Sequence, residues 1–96
     1  EYLYCQNNQL SYIPKTIENL PLILLDASYN QLTYLTEKIG NVTSLSSLVL
    51  SFNELINLPE SICNLADDAD INVSNNQLCD QYYYQCITDW FPQDCE

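Results

Sequence analysis

A three-residue phrase recurs four times along the chain: Asn8-Gln9-Leu10, Asn30-Gln31-Leu32, Asn53-Glu54-Leu55 and Asn76-Gln77-Leu78. The spacings are 22, 23 and 23 residues. A fixed period of this length marks stacked units, each too small to bury its own apolar face, so the chain is constrained to a solenoid. An apolar-x-apolar pair precedes each Asn: Leu3/Cys5, Leu25/Ala27, Leu48/Leu50 and Ile71/Val73. That alternation places both side chains of a pair on one face of a short strand, and such a strand is stable only when paired with neighbours. Each Asn falls where the strand ends and the chain turns. Its amide can satisfy backbone groups there, and stacked copies can form a ladder of Asn8, Asn30, Asn53 and Asn76. Asn carries the turn because Gly40 is the only glycine, and Asn tolerates left-handed backbone.

The second half of the period repeats as well. It runs Ile13-Pro14…Ile17…Leu20, then Leu35-Thr36…Ile39…Val42, then Leu58-Pro59…Ile62…Leu65. Pro14 and Pro59 suit the first turn of a short helical segment, and the apolar pairs three apart form one inward stripe. The whole template resembles the roughly 23-residue class of the leucine-rich repeat family. The resemblance implies an α/β right-handed solenoid. Short parallel strands would line its concave face and short helical or 3-10 segments its convex face, and it would act as a non-enzymatic protein-interaction module.

The two ends differ. The chain opens in mid-strand, so Leu3, Cys5, Leu10, Ile13, Ile17 and Leu20 are expected to lie open unless further repeats precede residue 1 or a partner covers them. Repeats are expected over residues 1–78 and a cap over 79–96. In the cap, Asp80 is placed to start a helix reaching Ile87 or beyond, with Tyr83, Cys86, Ile87 and Trp90 at helical spacing and Pro92 ending it. The run Ala66-Asp67-Asp68-Ala69-Asp70 has Asp68 where a Leu is due and is expected to bulge outward. The closing segment Asn76–Ile87, with Gln93-Asp94-Cys95, resembles that of secreted bacterial leucine-rich repeat proteins.

Of five cysteines, Cys5 replaces a core Leu and reads as a buried free thiol. Cys63, Cys79, Cys86 and Cys95 are candidates for two disulfides, with three connectivities open. Disulfides persist in oxidising compartments, which points to secretion or the cell surface. There is no histidine and no Cys-x-x-Cys, so zinc and His-dependent nucleophilic catalysis lack their parts. No catalytic residue, metal site or cofactor is expected. A calcium site at Asp67, Asp68 and Asp70 fits no EF-hand spacing. With 13 acidic and 2 basic residues, net charge −11, a nucleic-acid partner is excluded, and no apolar run suits membrane insertion. Asn41-Val42-Thr43 and Asn72-Val73-Ser74 match the N-glycosylation motif.

Strand alternation points Tyr2, Tyr4, Gln6, Asn7, Leu24, Asp26, Ser28, Tyr29, Ser47, Val49, Ser51, Phe52, Asp70, Asn72, Ser74 and Asn75 to the concave face. From these, Tyr4, Leu24, Asp26, Tyr29, Val49, Phe52 and Asn72 form the candidate partner-binding surface. It is partly aromatic, as interfaces tend to be. The partner is expected to be a protein or a neighbouring subunit. The rival readings are a structural subunit of an extracellular filament, sheath or surface layer, and an intracellular signalling scaffold.

Overall fold

The structure is a computed structural model that describes residues 1–95. Four three-residue strands form one parallel sheet in sequence order: β1 (Tyr2–Tyr4), β2 (Leu24–Asp26), β3 (Ser47–Val49) and β4 (Asp70–Asn72). The register puts Leu3, Leu25, Leu48 and Ile71 side by side. Between strands the chain crosses to a second layer of 3-10 turns: η1 (Lys15–Asn19), η2 (Glu37–Asn41) and η3 (Glu60–Asn64). Strands pack on strands and 3-10 turns on 3-10 turns, giving two stacked layers with the core between them.

The 3-10 form follows from the sequence. Its period of three sets Ile17 over Leu20, Ile39 over Val42 and Ile62 over Leu65. Each closes through an N–H···O bond from the later residue to the Ile carbonyl, 3.1 to 3.4 Å. Pro14 and Pro59 stand one position before the first turn rather than inside it, in extended conformation, and their carbonyls accept from Ile17 and Ile62. In the second coil Thr36 takes this place and its hydroxyl accepts from the Lys38 N–H at 3.2 Å, a cap that proline cannot offer. Gly40 sits where η2 meets η3. A Cβ there would collide with the Ser61 carbonyl oxygen, so the chain's one glycine serves close packing and not a turn.

The core is continuous from Ile13 to Trp90. At the first coil the expectation of an open end is corrected in part. Ile13 and Ile17 are buried in the same core as the second coil's residues, Leu3 and Cys5 are half-buried, and Leu10 and Leu20 are exposed. These residues surround an apolar cavity of about 500 Å³ at that end. Ahead of β4, Asp67 and Asp68 are exposed in a turn closed by Ala69 N–H to the Ala66 carbonyl. Ala69 turns inward beside them.

The cap differs most from expectation. It is not a helix through Ile87: among its described residues the only helical piece is the three-residue η4 (Asp80–Tyr82), with Cys79 and not Asp80 at its cap position. The chain instead lays down a fifth extended coil beside β4. Asp89 pairs with Asn72 and Gln93 with Asn76, both parallel. Val73 donates to the Asp89 carbonyl and Asp89 to that of Ile71. This satisfies the edge of β4, which a helix lying across it would leave unpaired. Disulfides Cys63–Cys86 and Cys79–Cys95 pin the coil at both ends of its path. Ile87 and Trp90 are buried against the last repeat, and Trp90 meets Tyr83 edge to face at 5.3 Å.

Candidate functional site

Two surfaces follow from this scaffold: the outward side of the sheet, and the row of turns where strands end. The turns are built around the asparagines. Asn53 Nδ2 donates to the Ala27 carbonyl of the preceding coil and the Leu50 carbonyl of its own, both at 3.0 Å, while its Oδ1 accepts from Leu32 N–H at 3.1 Å. Asn30 makes the same set with Cys5, Ala27 and Leu10, and Asn76 with Leu50, Val73 and Leu55. Asn8, in the first coil, reaches only Cys5 and Gln6 and is exposed. Gln93 adds a position to this ladder. Its amide donates to the Val73 and Trp90 carbonyls and its oxygen accepts from Leu78 N–H. The sequence carried a signal for it: Trp90-x-x-Gln93-x-Cys95 is the apolar-x-x-Asn-x-Leu phrase with every letter exchanged for a chemical relative.

The left-handed residue of each turn is not the ladder Asn but the one before it: Asn7, Tyr29, Phe52 and Asn75, with φ of 61°, 58°, 58° and 59°. Asn is suited to that backbone; Tyr and Phe are not. Both aromatic positions thus lie in the turn, past the end of the strand. Their rings stack on each other, centroids 4.4 Å apart and planes within 6°, and remain 51% and 43% exposed.

The other candidate residues divide into rows set by register. Tyr4, Asp26, Val49 and Asn72 lie side by side across the sheet, with Asp89 continuing the row. Leu24 belongs to the parallel row with Tyr2, Ser47 and Asp70. Tyr4 is 58% exposed and meets Tyr2 edge to face at 6.4 Å; Leu24, Asp26, Val49 and Asn72 are half-buried. Asp26 Oδ1 accepts from both the N–H and the hydroxyl of Ser28, and Asn72 Oδ1 likewise from Ser74. These side chains brace the strand exit. Ser28 and Ser51, placed outward by simple alternation, are buried, because the backbone begins to turn after Asp26 and Val49 and the period of two no longer applies. Asn41, the other glycosylation-motif residue, lies at the end of η2 and donates to Glu18 Oε1 at 2.7 Å.

A shallow, open groove of about 520 Å³ lies beside the stacked rings, among Asn8, Gln31, Glu54 and Asn75 and the ladder residues Asn30 and Asn53. Cys5 is half-buried and forms no disulfide, and burial, with Asp26 adding to it, raises its thiol pKa above the ordinary value. No group of three His, Cys, Asp or Glu side chains among the described residues is placed to hold a metal ion. No described helix is long and apolar enough to cross a membrane.

No curated protein matches the chain. The Leucine Rich Repeat family model matches residues 1–20 and 44–65, the first and third coils. Together with the four-stranded parallel sheet and its 3-10 return segments, these matches support a leucine-rich repeat family.

Proposed function

We propose that this chain is a non-enzymatic protein-interaction module of a secreted or cell-surface protein built on the roughly 23-residue type of leucine-rich repeat. It engages its partner through the sheet face and the adjoining turns. Leucine-rich repeats commonly mediate protein–protein contact, and the observation that carries the reading here is the Tyr29–Phe52 stack. Two half-exposed rings, held on left-handed backbone that disfavours them, form the kind of anchor on which interfaces concentrate their energy. Two disulfides, one within the short cap and one tying it to η3, support an oxidising compartment. Net charge of −11 supports a protein partner over a nucleic acid.

The test is site-directed photo-crosslinking with a benzophenone side chain at position 52 and, as control, at Lys15 in the 3-10 layer. A partner protein trapped from position 52 and not from position 15 is the expected result. Equal trapping from both layers refutes the sheet face. Trapping of a second copy of this chain moves the reading to a subunit of an extracellular assembly.

A further inference from the structure

The residue after each ladder Asn is Gln9, Gln31, Glu54 and Gln77. Only the third is charged. It belongs to the coil whose left-handed residue is Phe52, and its side chain lines the same groove as Tyr29 and Phe52. The chain's only cationic side chains, Lys15 in η1 and Lys38 in η2, lie in the other layer. Glu54 therefore meets no cationic side chain of its own chain. Nor does the fold need a carboxylate at that position, since the other three coils carry glutamine there.

We infer that the groove formed by Tyr29, Phe52 and Glu54 receives an arginine side chain presented by the partner. Each ring uses one face for the mutual stack, and the pair stays half-exposed, leaving aromatic surface that a flat cation can contact. A guanidinium suits both features at once: its plane stacks on an aromatic face, while its fork of N–H groups pairs with a carboxylate. An ammonium is a compact, strongly hydrated point charge and satisfies only the second. The depression is open to solvent, so the side chain and neighbouring backbone of a segment can lie against it, and the Gln31 amide with the side-chain oxygens of Asn8 and Asn75 offers that backbone polar partners. The large negative net charge steers a basic segment toward the chain, and the rings then discriminate between the two cations. This specificity rests on the sheet-face reading above.

The test uses the whole chain and two probes of equal length and charge, a Gly-Arg repeat peptide and a Gly-Lys repeat peptide. They are titrated by fluorescence anisotropy and by NMR of the aromatic side chains. The arginine peptide should bind about fivefold more tightly, the range expected of one exposed cation–π contact, and should shift the Tyr29 and Phe52 ring signals. Glu54→Gln, a residue the other coils already use, should remove most of that advantage. Asp67→Asn, in the exposed turn before β4, should not. Equal binding of the two peptides, or equal loss with Glu54→Gln and Asp67→Asn, overturns the arginine site and leaves only diffuse acidic attraction. If the crosslink from position 52 holds while Glu54→Gln is silent, the arginine assignment fails and the sheet face stands. If that crosslink is absent too, both fail.

Discussion

Asn53→Ala is the sharpest test of how the coils are held together. Four partners are lost, but not equally. The Ala27 carbonyl keeps the amide of Asn30, the Leu50 carbonyl keeps that of Asn76, and the Ser51 carbonyl keeps the Tyr29 N–H. Leu32 N–H has no such reserve, because its bond is to Asn53 Oδ1 and Leu32 itself is fully buried. The main cost is therefore one orphaned buried donor, about 1–3 kcal/mol, with a smaller contribution from three weakened acceptors. At a urea m-value of about 1–2 kcal/mol per molar, a loss of about 2 kcal/mol lowers the unfolding midpoint by about 1–2 M.

The assay is equilibrium urea unfolding with the disulfides intact, compared with two relatives. Asn8→Ala removes an exposed side chain whose acceptor Cys5 retains Asn30, so its effect should stay within about 0.5 kcal/mol. Asn53→Asp keeps the acceptor for Leu32 but points an oxygen at two carbonyls, so at neutral pH it should destabilise at least as much as the alanine. An unchanged midpoint for Asn53→Ala, or equal effects of Asn8→Ala and Asn53→Ala, refutes the assignment of stability to the ladder.

Further outcomes follow from the same geometry. Gly40→Ala forces a Cβ against the Ser61 carbonyl and should cost about 1–3 kcal/mol in thermal or urea unfolding, although alanine is the better helix former. Gln93→Ala should orphan Leu78 N–H and speed hydrogen exchange at Leu78 and Asp94 well before the central coils respond. Replacing Cys63 and Cys86 together by serine opens a loop of 23 residues and should lower stability by about 3 kcal/mol, read as a drop in midpoint. Cys5, its thiol pKa raised chiefly by burial and further by Asp26, should alkylate with iodoacetamide at pH 8 more slowly than an unstructured cysteine peptide, and at the peptide's rate in urea.

The repeated part of the fold was legible because each repeated letter does one physical job. Leu25, Leu48 and Ile71 meet in register, so a single slip would expose them all. The cap was not legible for the same reason in reverse. Tyr83, Cys86, Ile87 and Trp90 have helical spacing by position, but two disulfides and the unpaired edge of β4 draw the chain into an extended coil. Gln93 could be recognised as a ladder residue only by someone willing to exchange Asn for Gln and Leu for Cys. The outward residues followed alternation along the strands, at Tyr4, Asp26, Val49 and Asn72. They departed from it at Ser28 and Ser51, where strand gives way to turn. The left-handed positions were hidden because aromatic residues are among the last that local preference would place there.

That last mismatch bears on function. Asn7 and Asn75 show that the turn has a comfortable solution, and the two middle coils do not use it. Left-handed backbone costs a residue with a Cβ about 1–2 kcal/mol. The mutual stacking of Tyr29 and Phe52 returns about 0.5–1.5 kcal/mol once, for two such residues. The stack alone therefore does not offset the left-handed backbone of two such residues. The third coil also departs from the rest next to the rings, where Glu54 replaces the glutamine of the other turns. Strain, exposed aromatic area and an unneeded carboxylate coincide on one groove, while the ladder on either side of it keeps the regular chemistry. Local strain, exposed aromatic area and a lone carboxylate at one place are the features that the proposed contact accounts for.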